Sequence, residues 1–229
     1  MPEPEAPEAE VHLKICGLRD PVQARQVAAL GVEAIGVIAV ASSPRFVTIS
    51  ERGPLFAAIA AAAPSTERVL VLADPNSEEL AALEEETGAT VLQLHGQETP
   101  EQCSTLRQRL QKPIWKALRI RQPADLERAQ AYIGTVDALL LDAWVPDQLG
   151  GSGARIPIEW LQAFAPDLPW WLAGGVSAAR VETILQSLRP WGLDASSSVE
   201  RAPADKDLTR VRELVDAVRR AEARAAGRS

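Results

Sequence analysis

The segment "KICGLRD", Lys14–Asp20, is a short apolar run that ends on a cysteine and turns at a glycine. A thiol at the tip of a strand is a proton acceptor or nucleophile only when ionised, and its ordinary pKa of about 8.5 leaves it mostly protonated at neutral pH. A second chemical group, Asp142, closes the apolar run "DALLLD". His95 follows "LQL", Gly174-Gly175 follow "WLA", and Ser196–Ser198 follow "GLDA". Each type has an ordinary structural use. Free cysteine is among the most buried residues, and aspartate at a strand end caps the next loop. A lone histidine packs or hydrogen-bonds, and Gly-Gly makes turns. The choice depends on whether the fold gathers them.

Short apolar runs recur along the chain, and each precedes a helical pattern. The spacing predicts strands at His12–Cys16, Ala34–Ala39, Arg68–Ala73, Thr90–Leu94, Ile114–Ala117, Ala138–Asp142, Trp170–Ala173 and Gly192–Ser196. Between them lie helix signals. Asp20-Pro21 reads as a cap with proline at the first helical position, followed by Ala24, Val27 and Ala28 on one face. "TPEQ" at Thr99 offers a capping box. Val181, Ile184, Leu185 and Leu188 form an apolar helix stripe, as do Leu208, Val211, Val215 and Val218. Arginines of this last helix alternate with Glu213, Asp216 and Glu222, the pattern of a solvated face.

Buried strands alternating with helices imply a parallel sheet, because parallel neighbours need a crossover that a helix supplies. Eight units of about 25 residues fit a (β/α)8 TIM barrel, a single domain of eight parallel strands with outer helices. An open doubly wound sheet is the other option, but the G-x-G-x-x-G turn is missing after the first strand, which has a lone Gly17. The barrel is expected over residues 11–222. A disordered acidic lead-in is expected at 1–10 and a flexible tail at 223–229.

The chain has 229 residues and a formal net charge of -7, which speaks against a nucleic-acid surface but not against a local anion pocket. The opening "MPEPEAPEAE" has no basic or apolar segment, so no secretory signal is expected. No apolar stretch approaches the roughly 20 residues of a membrane span. Two separated cysteines and two histidines give neither a disulfide framework nor a zinc pattern. Free thiols in a reducing cytoplasm are expected, with Cys103 structural.

In a barrel, chemistry sits at the C-terminal ends of the strands. Cys16, the loop after Ala39, His95, Asp142, Gly174-Gly175 and Ser196–Ser198 would then share one face. The segments on that face are "KICG", "SPRFV", "LQLHGQE", "LLLDA" with "GGSG" behind it, "WLAGGV", and "DASSSVE" followed by "KD". In this order, over Lys14 to about Arg219, they resemble phosphoribosylanthranilate isomerase of tryptophan biosynthesis. That family is a single (β/α)8 barrel without metal or organic cofactor. It carries N-(5-phosphoribosyl)anthranilate to the 1-deoxyribulose 5-phosphate by an Amadori rearrangement.

The resemblance implies that Cys16 is the general base and Asp142 the general acid. It also implies that Arg45 of "SPR" meets the anthranilate carboxylate. A phosphate would sit at Gly174, Gly175, Ser196, Ser197 and Ser198, using backbone amides and serine hydroxyls. His95 is a further binding candidate. Lys14, two residues before Cys16, lies on the same side of the strand, and its charge is expected to favour the thiolate. The acid needs a pKa raised by burial or a neighbouring negative group. The expected partner is a small molecule with a phosphate and an anthranilate carboxylate; a monomer is expected, with no nucleic acid and no membrane.

Some residues depart from the family pattern: Arg19 for threonine, Ser198 and Ala204 for glycine, and "GVIA" for a more aromatic second strand. A glycine with positive φ at 198 would make the serine there cost about 1 kcal/mol. Two other functions compete. One is another phosphosugar barrel enzyme, for which "KICG" and "SPR" are unexpected. The other is a catalytically silent barrel that binds a phosphorylated metabolite or a protein, against which the intact Cys16 and Asp142 speak.

Overall fold

The computed structural model describes residues 10–86, 88–144 and 154–227. Strands β1 (His12–Cys16), β2 (Ala34–Ile38), β3 (Glu67–Leu72), β4 (Val91–Leu94), β5 (Ile114–Ile120), β6 (Ala138–Ala143), β7 (Trp170–Leu172) and β8 (Gly192–Ala195) pair in chain order. All neighbours are parallel, and β8 returns to β1 with Lys14 opposite Asp194, which closes the barrel. The doubly wound alternative would leave two open edges.

Alternation within the strands divides the core in two. Outward side chains such as Ile15, Ile35, Leu70, Leu92 and Leu139 pack under the helices. Inward ones fill the barrel, where Trp115 and Trp171 stack with ring centroids 4.8 Å apart. Two indoles fit because much of the rest of the inward core is short side chains, among them Ala34, Val69, Val91, Ala117 and Ala138. Gly192 belongs to the same accommodation, since a Cβ there would lie 2.4 Å from the Trp171 ring.

The helices are α1 (Pro21–Ala28), α2 (Ile49–Ala62), α3 (Ser77–Glu85), α4 (Pro100–Leu110), α5 (Ile158–Leu161), α6 (Ala178–Ser187) and α7 (Leu208–Ala226). The expected caps are present. Asp20 accepts from the Gln23 amide at 2.7 Å, and Thr99 and Gln102 form a reciprocal capping box. Asp207 caps α7. Between β5 and β6 the crossover is a 3₁₀ run, Pro123–Tyr132. No helix among the described residues is long and apolar enough to cross a membrane.

Apart from strand ends that shift by one residue, the structure departs from the sequence reading in three places. Strand β5 runs to Ile120 rather than Ala117, because its pairing with β6 continues through Arg119, a charge that interrupts the apolar run. A small antiparallel hairpin, β9 (Glu200–Ala202) and β10 (Asp205–Lys206), follows β8. Helix α7 extends to Ala226, past the boundary expected at 222, because its regular backbone hydrogen bonds continue to the Gly227 amide. The expected lead-in, apart from Glu10, lies outside the described residues, as do "GGSG" at 150–153 and residues 228–229.

Candidate active site

The C-terminal ends of the strands surround one cleft of about 690 Å³, its open mouth included. Cys16, Arg45, His95, Asp142, Gly174, Gly175, Ser196, Ser197 and Ser198 all line it. Lys14 lies one inward layer below, fully buried. The ring read from strand order is therefore a physical cavity.

Glycines shape the wall around the thiol. A Cβ on Gly36 of β2 would sit 2.6 Å from Cys16 Sγ, so the neighbouring strand yields its side-chain space to the sulfur. Gly17, at φ 88°, turns the chain directly after Cys16, and a Cβ there would collide with Arg45 Cδ at 2.3 Å. The "CG" pair thus packs the SPR arginine against the end of β1.

Arg45 is not the solvated arginine typical of a loop. Its Nε and Nη2 donate to Glu200 at 2.8 and 2.6 Å, and both side chains are buried. Three of the five guanidinium N–H groups remain for a ligand. Lys206 donates to the same carboxylate at 2.7 Å and to the Ser196 carbonyl at 3.2 Å. Burial alone would raise the Glu200 pKa, but hydrogen bonds and charge from Arg45 and Lys206 hold it below the ordinary value. Two cations against one carboxylate leave the wall locally positive, although the whole chain is acidic.

Beneath the thiol, Lys14 Nζ lies 3.1 Å from Asp194 Oδ2, an ion pair by distance but not aligned as a hydrogen bond. Burial pushes the Cys16 thiol above its ordinary pKa; Lys14 and Lys206 pull it down and Asp194 pushes it up. The expected pull from Lys14 is therefore present, but it does not win. The desolvation of a buried thiolate is larger, and Asp194 cancels part of the lysine's field.

Asp142, at the end of β6, is 5% exposed. His95 Nε2 approaches its Oδ2 at 3.5 Å, while Gln93 Nε2 lies 3.2 Å from His95 Nδ1. With Gln93 donating to Nδ1, the imidazole presents its N–H toward Asp142. His95 thus faces the expected acid directly, a contact that its sequence position did not reveal.

The serine segment needs a correction. Ser196 Oγ donates to the Cys16 carbonyl at 3.0 Å, and Ser198 Oγ donates to the Val176 carbonyl. These hydroxyls tie neighbouring loops together, so they are not the free anion donors expected. Ser198 also lacks a positive φ, and the strain expected there is absent. It falls instead on Ala204, at φ 70° in the turn of the β9–β10 hairpin after Pro203. A turn with proline second and a left-handed third residue asks for glycine there. Gly174 and Gly175 do need their freedom, at φ 84° and 63°.

Glu200, Lys206, Asp194 and Gln93 carry the charge and hydrogen-bond pattern of the site but received no role from the sequence. The first three lie in or beside the quoted "DASSSVE…KD"; the missing signal was that these charged side chains are buried. Cys103, by contrast, is fully buried under the helices, and burial pushes its thiol up to about 11.

The family model for N-(5'-phosphoribosyl)anthranilate isomerase matches residues 13–217, nearly the whole barrel. The chain belongs to this family. It is 46% identical over 211 residues to the N-(5'-phosphoribosyl)anthranilate isomerase of Synechococcus elongatus, covering 92% of this chain and 97% of that one. With the Synechocystis enzyme of the same name it shares 44% identity over 205 residues, covering 89% and 94%. The crystal structure of phosphoribosyl anthranilate isomerase from Thermus thermophilus superimposes with a TM-score of 0.79 at 33% identity, covering 92% of this chain and 99% of that one. In this isomerase barrel, the cleft just described occupies the C-terminal strand ends, where barrel enzymes hold their chemistry.

Proposed function

We infer that this chain isomerises N-(5'-phosphoribosyl)anthranilate to 1-(2-carboxyphenylamino)-1-deoxyribulose 5-phosphate in tryptophan biosynthesis, with Asp142 as acid and Cys16 as base. Asp142 protonates the ribose ring oxygen, and the ring opens to an iminium on the anthranilate nitrogen. The Cys16 thiolate then removes the C2 hydrogen to give an enolamine, which becomes the ketone. Supporting this assignment, both groups open into one cleft although residues 16 and 142 belong to strands on different sides of the barrel.

The substrate is an anion at both ends. The N–H groups of Arg45 left free by Glu200 are the contact for the anthranilate carboxylate, by stacking or end-on donation. The phosphate belongs at Gly174-Gly175, where positive φ lets backbone amides approach it, and at the turn Ser197–Val199. Helix α6 adds its N-terminal dipole, and its cap residue Ser177 makes no side-chain cap bond. All these residues come from one chain, so a monomer suffices. Two free buried thiols suit a reducing cytoplasm.

The test is turnover of freshly made phosphoribosylanthranilate, followed by the loss of its fluorescence. Cys16→Ala and Asp142→Asn should each lower kcat by roughly 10²–10⁴-fold while the unfolding midpoint stays close to that of the parent. Near-normal turnover by either variant removes that residue from the mechanism.

A further inference from the structure

Among the described residues, buried polar side-chain atoms without a hydrogen-bond partner gather at the cleft, on its wall at Gln93 Oε1, His95 Nε2 and Asp194 Oδ1 and one layer beneath it at Lys14 Nζ. Arg52 Nε and Trp171 Nε1 are in the same condition but do not line it. A buried carboxylate oxygen left bare is costly, so one facing a cleft is an unfilled acceptor for a ligand.

Asp194 is the sharpest case. It lines the cleft at 9% exposure, with Oδ2 held by Lys14 at 3.1 Å and Oδ1 unpartnered. It stands on β8, the strand paired with β1, and its charge is felt by both Lys14 and Cys16. An ionised carboxylate only accepts, so its ligand must offer a donor. The substrate's phosphate and carboxylate are excluded by charge. Its sugar hydroxyls are the O–H groups that remain, and the C2 hydroxyl hangs on the very carbon that Cys16 deprotonates.

The reaction leaves a task for such a group. Once Cys16 holds the C2 hydrogen, the enolamine must lose the hydroxyl hydrogen at C2 and gain a hydrogen at C1. We propose that Asp194 is a further catalytic carboxylate, which accepts the C2 hydroxyl proton as the enolamine becomes the ketone inside the cleft. The O–H bond at C2 breaks and its electron pair forms the C=O bond. The C1=C2 pair takes the hydrogen from Cys16 to form C1–H, which regenerates the thiolate. Asp194 is then protonated and Asp142 ionised, and a proton passes between them through water at the open mouth, so charge and atoms balance. Burial raises the Asp194 pKa while Lys14 favours its ionised form, so the carboxylate that begins the step is a stronger base than an exposed one. This step rests on the assignment of Cys16 and Asp142 above.

Running the reaction in D2O and trapping the ketone at once with borohydride reports where it forms. Ketonisation in the cleft gives product with deuterium at one prochiral C1 position, or with none where Cys16 returns the original hydrogen. Equal deuterium at both C1 positions means the enolamine escapes and ketonises in solution, which overturns the proposal without any variant. In Asp194→Asn, selective labelling should be lost and both positions labelled equally; retained selectivity overturns the role of Asp194. Should the orphaned Lys14 unfold that variant, Lys14→Met with Asp194→Asn removes both charges and is read identically. Failure of the underlying assignment looks different, because Cys16→Ala or Asp142→Asn would then still consume substrate.

Discussion

Lys14 and Asp194 meet at 3.1 Å across the seam where β1 closes against β8, an ion pair buried one layer below Cys16. The pair sets the charge that the thiol senses without placing either group at the tip of β1. A thiol alone in that setting would resist ionisation by desolvation; the lysine reduces the resistance and the aspartate returns part of it.

This arrangement fixes the pH dependence of turnover. As the proposed base, Cys16 acts as a thiolate, and burial holds its pKa above the ordinary value, so kcat/KM should climb from neutral into alkaline pH. In Lys14→Met the thiolate loses the cation that lowers its pKa most, the pKa rises further, and the limb moves to higher pH. The variant should turn over more slowly than the parent at neutral pH and approach it at alkaline pH. A pH–rate profile with an unmoved limb would separate Lys14 from the ionisation of Cys16.

Backbone strain at the β9–β10 turn predicts a stabilising change. Ala204→Gly relieves a left-handed alanine and should add about 1 kcal/mol, visible as a rise of roughly 2–4 °C in the unfolding midpoint. Ser198→Gly relieves nothing and removes the bond to the Val176 carbonyl, so its Michaelis constant should stay level or rise. A lower Michaelis constant in Ser198→Gly would restore the idea that serine impairs the phosphate loop.

Glu200 is the common anchor of Arg45 and Lys206. Glu200→Gln leaves two buried cations without their carboxylate and should cost on the order of 3 kcal/mol, with a raised Michaelis constant as Arg45 loses its orientation. The stabilisation depends on pH in a fixed direction. Because the folded Glu200 pKa is held below 4.5, the contribution is whole above that value and is lost as pH falls through the folded pKa. Denaturant unfolding of parent and variant should therefore converge in acid; a constant gap down to low pH would show that Glu200 does not titrate against this pair.

The sequence by itself determined the barrel. Eight apolar runs such as "RVLVL" and "ALLLD", each followed by a helical pattern and two of these with a legible cap at Asp20 and Thr99, leave few topologies, because period and capping are local properties. It also put Cys16 and Asp142 at the C-terminal ends of their runs, which made both legible as site candidates. Only the tertiary structure decided what those groups experience. That Glu200 grips Arg45, that Lys14 answers to Asp194 and not to Cys16 alone, and that Ala204 and not Ser198 carries the strained φ all depend on contacts between distant segments. Charge interactions in a buried site are set by distance and desolvation, and neither is written in the order of residues along a chain.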